Sequence, residues 1–241
     1  SQDRTFLEGV LQLPAGHLLA LDLKHNVKQG GNLSIRSWWQ ANLTEQPLSF
    51  ADATEKLREQ FLDNIKLHLR SDVPLGAALS GGIDSSAVVC AMRYVQPDAP
   101  LHTFSFIAEP GPLSEEKWVD QVNQYVRAIP HKVYATGNEL IRDIDEMIAA
   151  QGEPFGSTSI YAQYRVFQAA RHAGITVTLD GQGADELLAG YIGYPGQRIA
   201  SMLENGEWLL AWQFAKAWGT WPNRSTKQAF MHFLSAVLPS S

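Results

Sequence analysis

The sequence predicts an α/β protein, a doubly wound parallel sheet preceded by a small antiparallel β segment. Two observations carry this. Between residues 75 and 180, short apolar runs alternate with amphipathic stretches of helical length, the pattern of parallel strands covered by helices on both faces. Residues 1–48 lack that alternation and read instead as brief extended runs broken by Pro, Gly and Asn. The chain of 241 residues, 45% hydrophobic and 18% charged, has material for one large domain or one and a half. The expected division is a β segment over 1–48 and the α/β domain over 49–241.

In order along the chain, apolar runs at 10–13 and 17–23 flank Pro14-Ala15-Gly16 and suggest a hairpin. A third strand is expected at 33–39, after a soft break at 28–32. Three such strands are too few to stand alone, so they dock on the α/β domain or close a preceding one. Residues 49–71 read as a helix. Ser49 and Asp52 have capping-box spacing, and Leu57, Phe61, Ile65 and Leu69 recur every four residues. Asp72-Val73-Pro74 ends it and leads into a short apolar strand finishing at Leu79. Beyond it come a helix from 85 to about 96, a strand at 101–107 and a loop at 109–112. Next are a helix from 114 to about 127, a strand at 131–135, and a helix at 138–150 with Leu140, Ile144 and Ile148 on its apolar face. A helix at 159–173 with Gly174 as its C-cap precedes the last strand, 175–179. In the tail, Trp208, Trp212, Ala215 and Trp218 mark one helix, and Ala229, Phe230, Phe233 and Val237 another. That aromatic face is expected to be covered by a further segment or by a second subunit, as in a homodimer.

Charge and composition exclude several classes. The net charge of −6, with 19 scattered Lys and Arg, disfavours nucleic acid as a partner. No apolar run approaches the roughly 18 residues of a membrane span, and no signal-peptide pattern opens the chain. The single cysteine, Cys90, excludes intrachain disulfides, and the seven histidines lack ligand spacing. A cytoplasmic protein without membrane contact is the expectation.

Two stretches carry chemistry. In Ala77-Ala78-Leu79-Ser80-Gly81-Gly82-Ile83-Asp84-Ser85-Ser86, a buried strand ends in a glycine turn that opens a helix. The first turn of a helix offers unpaired N–H groups and the positive end of the dipole. Gly81 and Gly82 let backbone approach a phosphate, and Ser80, Ser85 and Ser86 add hydroxyls. Asp84 would repel phosphates unless a cation lay between them, so it implies Mg2+. The alternative is a serine-rich helix cap, favoured on local grounds alone. The second stretch is Asp180-Gly181-Gln182-Gly183-Ala184-Asp185-Glu186, where another strand ends in a glycine turn carrying acids. In an open parallel sheet both turns fall on the carboxyl edge, where Asp185 can share the Mg2+ with Asp84. No Gly-Lys-Ser/Thr follows a four-residue spacer, which argues against kinase-like γ-phosphoryl transfer.

The first loop resembles the pyrophosphate-binding loop of the ATP pyrophosphatases, a fold type also called adenine nucleotide alpha hydrolase-like. Alone it would suit GMP synthetase, NAD synthetase or tRNA-modifying enzymes. The second loop, with its trailing Leu187-Leu188-Ala189-Gly190-Tyr191, selects the glutamine-hydrolysing asparagine synthetase B family. The resemblance covers about 74–194. Phe6–Val10 and Leu13–His17 resemble the closing strands of a glutaminase domain, so the chain is expected to be a synthetase domain, cut at its C-terminus, with the tail of a glutaminase domain.

What the resemblance implies is ATP-dependent amidation of a small carboxylate, aspartate foremost. The carboxylate becomes an acyl-adenylate, and ammonia from glutamine, supplied by the glutaminase domain of the same full-length chain, displaces AMP. Ser80, Gly81, Gly82, Asp84, Ser85 and Ser86 match the positions that grip pyrophosphate, and Asp84 and Asp185 match the Mg2+ ligands. Leu79, Phe106 and Gly181 match positions around the adenosine. Gln182 stands where the family usually has a catalytic Glu, and Asp180 where it has Ser. An amide is no general base, so a related ligase for another carboxylate, like β-lactam synthetase, and a non-catalytic nucleotide-binding module stay open. The family's catalytic lysine comes from later sequence, and neither Lys216 nor Lys227 carries a motif for that role.

Overall fold

A computed structural model of the chain describes residues 4–21, 34–44, 46–108 and 114–237. In chain order its first elements are β1 (His17–Ala20), β2 (Ser34–Ser37), α1 (Phe50–His68), β3 (Leu75–Ala78), α2 (Ile83–Val95), β4 (His102–Ile107) and α3 (Glu116–Val126). Then come β5 (Ile129–Tyr134), α4 (Gly137–Gln151), α5 (Thr158–His172) and β6 (Val177–Leu179). The chain continues through α6 (Ala184–Leu188), α7 (Tyr194–Glu204), α8 (Trp208–Trp218) and α9 (Thr226–Val237). It forms two compact units, residues 1–63 with 137–161, and residues 64–136 with 162–241.

In the first unit β1 pairs antiparallel with β2, His17 opposite Ser37 and Ala20 opposite Ser34. This corrects the expected hairpin between 10–13 and 17–23. The Thr5 hydroxyl bridges the Leu7 and Val10 carbonyls, and the Val10 N–H donates to Leu7, so this stretch satisfies its polar groups in a local turn. The turn at Gly16 does form. Its carbonyl accepts from the N–H groups of Trp38 and Trp39, at 3.0 and 3.2 Å, and so aligns the second strand. The expected break at 28–32 and the loop at 109–112 lie outside the described residues. α1 begins at the expected cap, with the Asp52 N–H donating to Ser49 Oγ at 3.1 Å. In α4, Met147 is the buried residue and Ile148 stays exposed. Tyr161 is buried and its hydroxyl donates to Asp143 at 2.9 Å.

The second unit holds a four-stranded parallel sheet in the order β5-β4-β3-β6. β4 alternates cleanly. Phe104 and Phe106 pack with Val166, Ala170 and Ile175 on one face. Thr103 faces the other side, where its hydroxyl donates to Asn123 of α3 at 2.6 Å. α3 meets the Thr103 face through Asn123 and packs with α2, while α5 meets the Phe104 face through Val166 and Ala170, so helices cover both faces and the sheet is doubly wound as expected. Strands β3, β4 and β5 step outward in one direction, and β6 returns to the other side of β3. The order of the sheet therefore switches between β3 and β6.

The tail folds as three helices around Ile199, Met202, Ala211, Ala215 and Ala229. α7 is an element that residue pattern did not announce, because Pro195 and Gly196 look like breakers. Pro195 instead occupies the first helical turn, where its missing N–H costs nothing, and Gly196 lies against the His232 backbone of α9. The aromatic face of α8 is not covered among the described residues of this chain. The alanines of α8 are buried, while Trp208, Trp212 and Trp221 are exposed. No helix among the described residues is long and apolar enough to cross a membrane.

Candidate functional site

The switch between β3 and β6 puts two strand ends side by side, and both glycine turns leave from that edge. The first turn, 79–82, joins β3 to α2. Gly81 has φ +90°, and a Cβ there would lie 3.0 Å from the Glu115 carbonyl and 3.3 Å from the Trp118 Cβ. Only a glycine fits both the backbone and the space against α3. α3 is itself fixed at this end, since Lys132 of β5 bridges Glu116 at 2.8 Å and Asp120 at 2.7 Å. The Lys132 ammonium, with a hydrogen bond from the Tyr134 hydroxyl, holds the Glu116 carboxyl below the usual carboxylate range.

α2 starts at Gly82 without a side-chain cap, unlike α1. The serines are used within the turn. The Ser80 N–H donates to Ser85 Oγ at 3.2 Å, the two hydroxyls lie 3.0 Å apart, and the Ser85 hydroxyl donates to the Gly82 carbonyl at 3.3 Å. Ser85 is buried and acts as the post around which the turn closes. The Gly82 N–H donates to Ser80 Oγ at 3.3 Å, and no side chain caps the first turn of α2, the kind of helix end at which an anion can bind.

The second turn, 180–183, joins β6 to the short helix α6. Gly181 seats directly on the start of α2. A Cβ on it would lie 2.8 Å from the Ser85 nitrogen, 3.1 Å from the Asp84 carbonyl carbon and 3.2 Å from the Asp84 Cβ. The structure therefore brings the two turns into backbone contact at Asp84. Gly183, with φ +90°, turns the chain into α6, which carries Asp185 and Glu186. Asp84 and Asp185 are both partly buried, while Gln182 is exposed. The carboxylates of Asp84 and Asp185 are hard oxygen donors of the kind Mg2+ takes, and among the described residues no group of three or more His, Cys, Asp or Glu side chains gathers as metal ligands do.

Of the other expected site residues, Ser86 is partly buried on α2, and Leu79 is buried with its N–H donating to the Phe104 carbonyl at 2.9 Å. A ligand near Leu79 would meet its backbone. Phe106 sits near the carboxyl end of β4, packed on the cluster around Phe104. Cys90 lies within α2, and burial pushes its thiol pKa up, opposite to what a nucleophile needs. Lys216 is on α8 and Lys227 on α9.

Residue pattern missed three contributors: Glu115 and Trp118 behind Gly81, and Tyr191. The Tyr191 hydroxyl donates to Glu186 at 2.8 Å, and that bond, then burial, raises the phenol's pKa above its ordinary value. The second loop motif ends on Tyr191, but its spacing does not say which acid the hydroxyl meets.

The Asparagine synthase family profile matches residues 56–236. A putative asparagine synthetase [glutamine-hydrolyzing] 2 of Methanocaldococcus jannaschii is 38% identical over 138 residues, 57% of this chain and 26% of that protein. Asparagine synthetase [glutamine-hydrolyzing] 1 of Bacillus subtilis is 30% identical over 189 residues, 74% of this chain and 29% of that one. Asparagine synthetase B [glutamine-hydrolyzing] of Escherichia coli is 30% identical over 178 residues, 66% of this chain and 31% of that one. The chain thus spans about a quarter to a third of the length of these relatives.

Proposed function

Because this chain belongs to the asparagine synthase family, we propose that it is the nucleotide-handling part of a ligase that amidates a small carboxylate at the expense of ATP. Aspartate is the first candidate, since the relatives are named asparagine synthetases. Gly181 resting on the Asp84 backbone is the observation that carries the proposal, for it joins two acid-bearing turns at one edge of the sheet.

In this reading the uncapped first turn of α2, with Gly81, Gly82 and Ser86, receives the β- and γ-phosphates. Ser80 and Ser85 hold the turn in shape. Asp84 and Asp185 would hold Mg2+, which when bound neutralises charge on the departing pyrophosphate. Leu79, Phe106 and Gly181 flank the adenosine through backbone and ring edge. The substrate carboxylate oxygen attacks the α-phosphorus, the bond to the bridging oxygen breaks, and pyrophosphate leaves. Ammonia then attacks the acyl carbon and AMP leaves. The chain's contribution to the first step is alignment and preorganised dipoles rather than covalent chemistry. Exposed Gln182 is read as a substrate contact, since its amide can orient a group but not remove a proton.

Residues 1–48 are read as the closing strands of a glutaminase-type β domain, and 49–241 as synthetase domain; the antiparallel pairing of β1 with β2 supports the first. Ammonia would then reach the acyl-adenylate from a glutaminase domain of the same protein. The cytoplasm is the proposed compartment, where a free Cys90 thiol stays reduced.

The test is ATP–pyrophosphate exchange in the full-length protein with Mg2+ and a panel of carboxylates. Exchange that needs aspartate supports the reading as stated. Exchange with a different carboxylate keeps the ligase and replaces its substrate, and no exchange with any of them removes the ligase.

A further inference from the structure

Gly190 follows α6 and the left-handed Ala189, whose φ is +56°. A Cβ built on Gly190 overlaps the Asp185 carboxylate, and the three atoms nearest to it all belong to Asp185, the Cα lying 3.2 Å away. The Gly190 N–H also donates to the Asp185 carbonyl at 2.9 Å. Gly190 is not one of the described glycines with positive φ, so its backbone would accept an L-residue. What excludes a side chain there is therefore Asp185 itself. The next residue serves the other acid of α6, Tyr191 donating to Glu186 at 2.8 Å.

We propose that Gly190 is a positioning residue for Asp185, its missing side chain being the space in which the carboxylate sits. The inference rests on the reading that Asp185 holds a divalent cation on a bound nucleotide. A methyl group at 190 collides with the far end of a flexible side chain, so the fold survives and the carboxylate rotates away. The loss should then fall on the metal and leave the rest of the nucleotide site intact.

The experiment measures binding of ATP to the full-length protein by calorimetry, with Mn2+ present and with EDTA, for the unsubstituted chain, Gly190→Ala, Asp185→Asn and the double variant. The expected result is a loss of about tenfold to a hundredfold in Mn2+-dependent affinity for Gly190→Ala. Its affinity in EDTA stays unchanged, and the double variant is no weaker than Asp185→Asn. Additive losses in the double variant, or Mn2+-dependent binding by Gly190→Ala equal to that of the unsubstituted chain, overturn the inference while leaving the nucleotide reading standing. No Mn2+-dependent binding by the unsubstituted chain overturns both. Should Gly190→Ala unfold, the pair Asp185→Ala with Gly190→Ala, which lacks the colliding carboxylate, must regain the fold; if it does not, the collision lies elsewhere and the inference fails.

Discussion

His102 Nδ1 lies 2.9 Å from His131 Nε2 across the β4–β5 pair, and Phe104 stacks on the His131 ring at a centroid distance of 4.6 Å. One proton fits between the two nitrogens; two imidazolium rings would point N–H at N–H. Burial first, and then the charge on His102, push the His131 pKa below its ordinary value. The fold thus favours neutral His131, and the unfolded chain takes up the proton first, near about pH 6.5. This stability is present above that pH and is lost as pH falls through the lowered folded value. The expected outcome is a Tm that drops between about pH 7.5 and about pH 5.5, with a shallower drop in His131→Gln. Parallel Tm profiles for the two proteins would count against the pair.

Gly181→Ala is expected to damage both the fold and the site. Its methyl group meets backbone, with the Ser85 nitrogen at 2.8 Å, so the loops must part rather than a side chain turn aside. A cost of about 1–3 kcal/mol in urea denaturation is expected. ATP affinity should weaken by more than that stability loss explains at temperatures where the variant is fully folded.

Asp84→Asn and Asp185→Asn test the metal directly. Each should reduce Mg2+-dependent ATP binding by at least about tenfold. Changes in Tm should be small, because neither carboxylate has a counter-ion among the described residues. Calorimetry over a Mg2+ titration reads this out; equal binding with and without the metal in the unsubstituted chain contradicts it.

Arg93 provides the contrast. Its guanidinium donates to the carbonyls of Val126 at 2.7 Å, Pro97 at 2.6 Å and Ala99 at 2.9 Å, tying the end of α2 to the start of β4 and the end of α3. This knot lies at the opposite edge of the sheet from the glycine turns. Arg93→Ala should destabilise the protein by about 2–4 kcal/mol, since it strands several carbonyls at once. Nucleotide affinity of the folded fraction should be unchanged.

The glycine turns and the strand–helix alternation were legible because each is written in local chemistry. Gly81 and Gly181 announce a bend, and Ser49 with Asp52 announces a helix start. What stayed hidden depends on partners distant in sequence. His17–Ala20 is an apolar run that could pair with either neighbour, and the hydrogen bonds from Trp38 and Trp39 to Gly16 go with the pairing to β2. Pro195 and Gly196 read as breakers until α9 supplies the backbone against which Gly196 fits. The tryptophans of α8 dominate any hydrophobicity count, yet the alanines, small enough for close helix contact, form its core. The Gly190 side of Asp185 is invisible in the same way, since spacing alone does not give the direction of a carboxylate.

The strand order has a consequence for biosynthesis. β6 joins the sheet through Val177 pairing with Leu75, about a hundred residues earlier, so that ladder closes the longest loop of this sheet. A nascent chain emerging from the ribosome can complete β3, β4 and β5 while the seat for Gly181 beside Asp84 still stands open to water. The proposed nucleotide site at Gly181 and Asp84 is therefore complete only once β6 has docked, and a nucleotide bound there would stabilise the docked strand.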